Sequence, residues 1–259
     1  MEKKRFLICN MDERQQYLAE ILQRTGDEVV EENEFDESEP FFGMLLPVTQ
    51  TDEYFRRLQG HMKKGMYIFG SNFSEDAKMW AKTMQFTLVD YMKEPGVAEK
   101  NAIATAEGVI AEAITEMKQN LSGSKCLVAG YGRCGSVIAE KLLAFGCEVA
   151  ILEQSREKCT LAEQNGCKWE KDVGLLQYDL IINTVPALIF GESLLCTLKK
   201  DAVILDIATK PGGVDFSYYE KKNIKARRCP GLPAKYSPKT SAEVLAEVVR
   251  KYEKSGERQ

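Results

Sequence analysis

A short apolar run at residues 126–129 ends in three glycines with the spacing Gly-x-Gly-x-x-Gly, at Gly130, Gly132 and Gly135. This spacing is typical of a dinucleotide-binding strand–turn–helix unit. The first glycine permits the turn, the second lets the backbone approach a pyrophosphate, and the third lets the helix pack closely on the strand. The helix that follows offers unpaired N–H groups and its positive dipole end to the phosphates.

The residues after these glycines continue the alternation of strand and helix. Apolar residues at helical spacing lead to Gly146, and a second apolar run at 147–152 predicts a strand that is followed by Glu153. An acid roughly 20 residues after the first glycine is expected to accept hydrogen bonds from the adenosine ribose. A glycine-rich turn without a ligand is the alternative, and the combination of strand, helix, strand and acid favours the cofactor site.

The cofactor choice depends on the end of this second strand. Glu153 favours NAD, because a carboxylate repels the 2′-phosphate of NADP. Arg156 beside Ser155 is a pair that can hold such a phosphate, so NADP is the alternative. The predicted cofactor contacts are Gly130, Tyr131, Gly132, Arg133, Cys134, Gly135, Glu153, Gln154, Ser155, Arg156, Thr184, Val185, Pro186 and Ala208.

Composition narrows the class of protein. The 259 residues are 44% hydrophobic and 29% charged, which is typical of a soluble globular chain with one or two domains. The net charge of −4 and the lack of a long apolar run predict neither a nucleic-acid partner nor a membrane partner. The cysteines form no Cys-x-x-Cys pair and predict free thiols in the cytoplasm, with Cys9, Cys126, Cys147 and Cys196 in apolar elements. The single histidine, His61, argues against zinc, and no metal is predicted.

Strands and helices alternate from the first residues onward. This pattern predicts two parallel-sheet α/β domains, the second a Rossmann fold, joined by a long helix across a cleft. The predicted boundaries are a flavodoxin-like substrate domain at 1–95, an NAD(P)-binding domain at 96–235 with a linking helix at 97–120, and a closing helix at 236–259. In the polar turn at 10–15, Arg14 either reaches the cleft or lies on the helix surface, and the surface position is favoured.

Four predicted strand ends carry glycine- or proline-rich turns. Ligands of open parallel sheets bind at the carboxyl ends of the strands, so four such turns on one edge predict a shared ligand surface. The turns are at 130–135, 183–186, 208–213 and 230–233.

Several of these segments also resemble one family. The segments at 101–108, 183–187, 206–216 and 230–240 are similar, in this order, to the A subunit of bacterial dipicolinate synthase. Turns at 12–15 and 46–48 extend the resemblance more weakly into the first domain. Ala104, Ala234 and Ser237 depart from the family pattern, and the chain is short for the family.

The resemblance implies an activity and a partner. The family oxidises a hydroxytetrahydrodipicolinate from the lysine pathway to pyridine-2,6-dicarboxylate during sporulation. The A subunit binds the nicotinamide cofactor and works with a flavoprotein-like B subunit. The expected substrate is therefore a small dicarboxylate, and a homo-oligomer is left open.

The reaction requires a proton acceptor and cations for two carboxylates. Glu107 is predicted to take the proton, although the helix dipole alone also favours an acid near a helix start. Lys210 and Lys239 are predicted to hold the carboxylates, with Lys235 beside them; each is otherwise an ordinary surface lysine. Arg133 is expected to contact phosphate or substrate.

Three other functions are weighed against this one. A shikimate-dehydrogenase-like enzyme is the nearer rival, because residues 183–186 also resemble that group. A non-enzymatic nucleotide-sensing module is the second, although such modules rarely need another α/β domain. A 2-hydroxyacid dehydrogenase requires a catalytic histidine late in the cofactor half, and His61 lies in the other half.

Overall fold

The computed structural model describes residues 3–9, 12–36, 39–170, 174–218 and 225–256. The chain divides into two compact units. The first unit comprises Met1–Lys100 and Ser237–Gln259, and the second comprises Asn101–Tyr236. Residues 10 and 11 of the predicted polar turn, and residues 257–259 of the predicted closing helix, lie outside the described residues.

The first unit is built on a five-stranded sheet in which all neighbouring strands are parallel. The strand order is β2-β1-β3-β4-β5, the order of flavodoxin-like folds. The sheet is buried on both faces, so its strands are short and mostly apolar. The strands are β1 (Arg5–Ile8), β2 (Glu28–Glu31), β3 (Gly43–Leu45), β4 (Tyr67–Gly70) and β5 (Thr87–Asp90).

Helices cover both faces of this sheet. Local capping explains where two of them begin, because Asp12 accepts the Gln15 N–H at 2.8 Å and Ser74 accepts the Ala77 N–H at 3.3 Å. The last helix buries its predicted apolar face, including Leu245 and Val249, in the same core as β1 and β3. The helices are Glu13–Arg24, Thr51–Leu58, Glu75–Met84 and Pro238–Gly256, with the first residues of Val97–Glu116.

The second unit contains a six-stranded parallel sheet. Its order, β11-β10-β9-β6-β7-β8, is that of a Rossmann fold, which confirms the predicted fold class. All the strands point the same way, so the turns after β6, β9, β10 and β11 share one edge. The strands are β6 (Lys125–Ala129), β7 (Glu148–Leu152), β8 (Lys168–Trp169), β9 (Leu180–Asn183), β10 (Val203–Asp206) and β11 (Lys225–Arg228).

The helices of the second unit are Arg133–Ala144, Arg156–Gln164, Glu192–Leu195 and Leu232–Tyr236, with most of Val97–Glu116. The helix predicted at 97–120 ends at Glu116, where polar residues and a turn replace the apolar pattern. Gly108 lies inside this helix, where the lack of a side chain allows close packing. A Cβ there would lie 2.8 Å from Leu232 Cβ and 3.0 Å from Tyr236 Cδ2.

The cysteines of the chain are free thiols. Burial agrees with prediction for Cys9, Cys126 and Cys147, but the prediction for Cys196 is wrong, because it lies exposed just after the short helix Glu192–Leu195. Among the described helices, none has a stretch apolar and long enough to cross a membrane.

A buried carboxylate ties the long helix to the C-terminal part of the second unit. The side chain of Glu112 is only 3% exposed and lies 2.6 Å from Lys235 Nζ and 3.0 Å from Arg227 Nη1. Burial alone would raise the pKa of Glu112. Hydrogen bonds from Lys235 and Tyr236, with the charge of Arg227, outweigh burial and lower that pKa. Lys235 is therefore an ion-pair partner of Glu112, and its expected position beside Lys210 and Lys239 at the substrate stays a prediction.

The substitution Glu112→Gln tests this ion pair. We expect it to lower the free energy of unfolding by about 1–2 kcal/mol at neutral pH. The loss is moderate because Lys235 and Arg227 are half exposed, so water still solvates their charges when the carboxylate is removed. The pKa of Glu112 is lowered by folding, so its contribution is present above 4.5, the ordinary value, and is lost as the pH falls through the folded-state pKa. Urea unfolding at neutral and acidic pH measures the difference.

The matched control is Glu148→Gln, which removes an exposed pair with Lys168. It should change the free energy of unfolding by less than about 0.5 kcal/mol. A Glu112→Gln effect that is equally small, or that grows as the pH falls, would contradict the assignment.

Candidate functional site

The glycine turn at the end of β6 is closed by backbone contact. Gly130 has φ +89°, a left-handed conformation that side chains rarely adopt. A Cβ on Gly135 would lie 2.1 Å from the carbonyl oxygen of Gly130. The absence of a side chain at Gly135 thus allows the helix Arg133–Ala144 to begin directly against the strand end, as the sequence predicts.

The middle glycine of the motif faces open space. Within the described part of the chain, no heavy atom lies within 4 Å of the position that a Cβ on Gly132 would take. Gly132 also precedes the helix Arg133–Ala144 and, as a glycine, has no side chain to cap the first N–H groups of that helix. Space together with uncapped donors fits the pyrophosphate of a dinucleotide. Arg133 is exposed beside this turn, and burial raises the pKa of the Cys134 thiol, which is therefore neutral at physiological pH.

Glu153 lies at the carboxyl end of β7 and is held by the backbone. One carboxylate oxygen accepts the N–H of Tyr131 at 3.0 Å, and the other accepts those of Gln154 at 2.8 Å and Ser155 at 3.1 Å. Burial opposes ionisation, but these three hydrogen bonds and the nearby Lys158 lower the pKa of Glu153. The carboxylate is therefore ionised and fixed beside the glycine turn, where a ribose would lie.

The neighbours of Glu153 have unequal roles. Tyr131 is buried, and its hydroxyl accepts a hydrogen bond from Asn165 at 3.1 Å, so this residue faces the turn through its backbone. Ser155 caps the helix Arg156–Gln164. The side chains of Gln154 and Arg156 are partly or fully exposed.

The turns after β9 and β10 are joined by two buried polar side chains. Asn183 Nδ2 donates to Asp206 Oδ1 at 2.8 Å, and Asn183 Oδ1 accepts the N–H of Val185 at 3.2 Å. Asp206 also accepts the N–H groups of Ala208 and Gly213, each at 3.1 Å. Sequence reasoning missed this pair. The available signal was a polar residue at the last position of two otherwise apolar strands.

This pair positions the remaining predicted cofactor residues. Thr184 donates its hydroxyl to the carbonyl of Ala129 at 2.8 Å, and its Oγ1 would be 2.5 Å from a Cβ on Gly130. Val185 and Ala208 are partly exposed, and Pro186 is exposed. The structure thus brings the turns after β6, β9 and β10 to one edge of the second unit.

The predicted catalytic residues lie on the surface of their units. Glu107 forms an exposed ion pair with Lys141 at 3.1 Å. Lys210 is exposed in the turn after β10. Lys239 is exposed in the first turn of the helix Pro238–Gly256 in the first unit.

Arg14 contradicts its favoured interpretation as a helix-surface residue. Only 4% of the Arg14 surface is exposed to solvent. The acid paired with it is Asp12, whose Oδ2 lies 3.9 Å from Nη2. Neither Nε nor Nη2 has a hydrogen-bond partner among the described residues. Position 14 lies four residues before Leu18 and eight before Leu22, so helical spacing already places it on the buried face of this helix. Within the same part of the chain, no three His, Cys, Asp or Glu side chains converge as metal ligands.

The last two glycines of the motif make opposite predictions. Gly135→Ala should destabilise the protein by at least about 3 kcal/mol or prevent folding, because its methyl group collides with backbone. Gly132→Ala should leave the melting temperature nearly unchanged but weaken dinucleotide binding about tenfold or more, because its methyl group occupies the approach to the phosphates. Thermal unfolding and a titration with NAD measure both effects. A Gly135→Ala variant as stable as the original chain would refute the close packing of helix on strand.

Comparison with known proteins agrees with this geometry. Residues 97–210 match the family described as D-isomer specific 2-hydroxyacid dehydrogenase, NAD binding domain, which indicates a nicotinamide cofactor. The chain is 35% identical over 168 residues to the dipicolinate synthase A subunit of Bacillus subtilis (strain 168). That match covers 63% of this chain and 57% of the relative, so it spans less than two thirds of the relative's length.

Two solved structures extend the similarity to nearly the whole chain. The dipicolinate synthase A subunit of Bacillus halodurans has a TM-score of 0.84 at 26% identity, covering 96% of this chain and 97% of that one. The corresponding structure from Bacillus subtilis has a TM-score of 0.81 at 25% identity, covering 98% and 97%. The predicted resemblance is confirmed: this chain is similar in sequence and fold to dipicolinate synthase A subunits, and residues 97–210 match the NAD-binding domain of 2-hydroxyacid dehydrogenases.

Proposed function

We propose that this protein is a nicotinamide-dependent oxidoreductase of the dipicolinate synthase A type. Its proposed reaction converts a hydroxytetrahydrodipicolinate to pyridine-2,6-dicarboxylate, in the context of sporulation. The observation that supports a cofactor site most strongly is the glycine turn with the ionised Glu153 beside it. The similarity to dipicolinate synthase A subunits supports the substrate.

The overall reaction removes one water, one hydride and one proton from the ring. A bound nicotinamide would supply the hydride acceptor. The residues of this chain would bind it through the open backbone at Gly132 and the carboxylate of Glu153. In this proposal Glu107 accepts the proton, and Lys210 and Lys239 bind the substrate carboxylates. These roles remain predictions. A flavoprotein-like B subunit is the proposed partner, and the cytoplasm, where free thiols stay reduced, is the proposed location.

The direct experiment measures cofactor reduction with freshly made hydroxytetrahydrodipicolinate, with and without a B subunit. Formation of pyridine-2,6-dicarboxylate together with reduced cofactor is the expected result. Turnover of shikimate instead would favour the shikimate-dehydrogenase-like alternative. Cofactor binding without hydride transfer to either substrate would favour a nucleotide-sensing module.

The proposed site residues make a separate prediction. Lys210→Ala and Lys239→Ala should each lower kcat/KM about a hundredfold, because each removes a charge-assisted contact worth about 2–3 kcal/mol, while NAD binding stays nearly intact. Glu107→Gln should lower kcat with less effect on substrate affinity. Steady-state kinetics separates these effects, and thermal unfolding checks that each variant folds.

Lys168→Ala is the matched control, since Lys168 is 71% exposed and pairs with the surface acid Glu148. It should leave turnover unchanged. Normal turnover in both the Lys210 and Lys239 variants would place the substrate carboxylates elsewhere on the protein.

We also propose that the cofactor is NAD rather than NADP. The ionised Glu153 repels a 2′-phosphate, and the neighbouring Arg156 is too weakly fixed, as an exposed side chain, to reverse this preference. Titration of both cofactors should show tighter NAD binding. Glu153→Gln should narrow the difference, because it removes the negative charge and keeps the size of the side chain.

Arg156→Ala provides the control for the opposite choice. It should change the NAD affinity little if Glu153 decides. The opposite choice predicts that the unsubstituted chain binds NADP more tightly than NAD. If Arg156→Ala then lost this tighter NADP binding and Glu153→Gln did not improve it, Arg156 would determine the cofactor.

A further inference from the structure

The sheet of the first unit has a topological switch point of its own. In the strand order β2-β1-β3-β4-β5, β1 has β2 as its neighbour on one side and β3 on the other. The chain therefore runs from β1 to one side of the sheet and then returns to the other side, which makes the β1/β3 boundary a switch point. Ligands of open α/β sheets bind at such a switch point, outside the carboxyl ends of the strands. Arg14 and Gln15 lie in the first turn of the helix that follows β1, and Gln15 Nε2 donates to the carbonyl of Leu45, the last residue of β3, at 3.5 Å. They therefore lie at the β1/β3 switch point.

Two further polar residues lie along the same edge. Ser71 directly follows β4 and Tyr91 directly follows β5. The register pairs Gly70 with Asp90, which places Ser71 and Tyr91 at the ends of adjacent parallel strands. The guanidinium of Arg14 and the ring hydroxyl of Tyr91 are close enough to affect each other electrostatically.

All four side chains are more than nine-tenths buried and carry atoms without a partner among the described residues. These atoms are Arg14 Nε and Nη2, Gln15 Oε1, Ser71 Oγ and Tyr91 OH. Buried polar groups in folded proteins are nearly always hydrogen-bonded, because an unpaired one costs its full desolvation penalty. Four exceptions along one strand-end edge are the pattern of a site whose remaining partner is a ligand.

The charge at this edge specifies the class of ligand. Burial lowers the pKa of Arg14, and the opposing carboxylate of Asp12 is too distant, at 3.9 Å, for a hydrogen bond. A guanidinium remains protonated nevertheless, so among the described residues its charge is balanced only by the long ion pair with Asp12. A planar carboxylate matches the guanidinium in charge and in bidentate geometry. Gln15 Oε1 only accepts, so a ligand that also carries an O–H or N–H donor would pair with it as well.

We propose that the carboxyl edge of the first unit binds a small organic acid, with its carboxylate on Arg14 and its other polar groups on Gln15, Ser71 and Tyr91. This anion site stands on the contacts of the first unit alone. Only the choice of a pyridine dicarboxylate as the probe depends on the proposed function.

The test uses the full chain, without cofactor, in a buffer free of divalent metals. Isothermal titration with pyridine-2,6-dicarboxylate and with pyridine-2-carboxylate should show binding to the unsubstituted chain. Arg14→Gln should weaken it about 30-fold or more, and Arg14→Lys by less, because lysine keeps the charge but not the bidentate geometry. Arg24→Gln, at a side chain 75% exposed on the same helix, should bind as the unsubstituted chain does.

A stability measurement separates this role from a structural one. An arginine held for a ligand lacks compensation in the free protein, so Arg14→Gln should leave the melting temperature of the free chain unchanged or raise it. The stabilisation by added dicarboxylate should then disappear in that variant. A structural arginine would instead lower the melting temperature of the free chain when replaced. Tyr91→Phe, which removes only the hydroxyl, should fold normally and bind severalfold more weakly.

Two results would overturn the proposal. The first is the absence of binding of either acid to the unsubstituted chain. The second is unchanged affinity in both Arg14→Gln and Tyr91→Phe. Failure of the proposed reaction is distinguishable, because loss of binding in Arg14→Gln without any turnover of hydroxytetrahydrodipicolinate would retain the anion site and refute the reaction.

Discussion

The geometry of the second unit depends on how closely a helix approaches a strand end. The backbone of Gly135 lies against the carbonyl of Gly130, with no room for a single methyl group between them. This contact fixes the first turn of the helix Arg133–Ala144 relative to β6, and with it the direction of the uncapped N–H groups. Glu153 is then attached to the same turn by the N–H of Tyr131, so the proposed phosphate and ribose positions belong to one rigid arrangement.

A second constraint holds the neighbouring turns. The buried Asn183 and Asp206 satisfy each other and, between them, the N–H groups of Val185, Ala208 and Gly213. These bonds replace water as the partners of the turn backbone, which lets the turns remain ordered while partly exposed. Burying an amide or a carboxylate costs free energy unless its hydrogen-bonding atoms are paired. Here most of those hydrogen bonds go to the backbone of the turns at the edge where a ligand would bind.

The sequence predicts what depends on local pattern. Strand and helix periodicity, the glycine spacing and the acid after β7 are all local, and the two parallel sheets and the cofactor turn followed from them. The predicted exposure of Arg14 was wrong and the Asn183–Asp206 pair was missed. In both cases the sequence shows a polar residue in an apolar pattern but does not show which other segments bury its side chain. The ion pair of Lys235 was missed for the same reason. Nothing near Lys235 in sequence indicates that Glu112, on another helix, neutralises it.

The order of the segments along the chain affects how this protein is made. The first unit takes its five strands from the segment before Lys100 and is completed only by the helix Pro238–Gly256, whose apolar face fills the core beside β1 and β3. The second unit is thus an insertion within the first. During synthesis it emerges whole from the ribosome while the sheet of the first unit still lacks one covering helix. The nascent first unit therefore exposes apolar surface until that helix has followed, and over this interval it is the part of the protein most prone to aggregation.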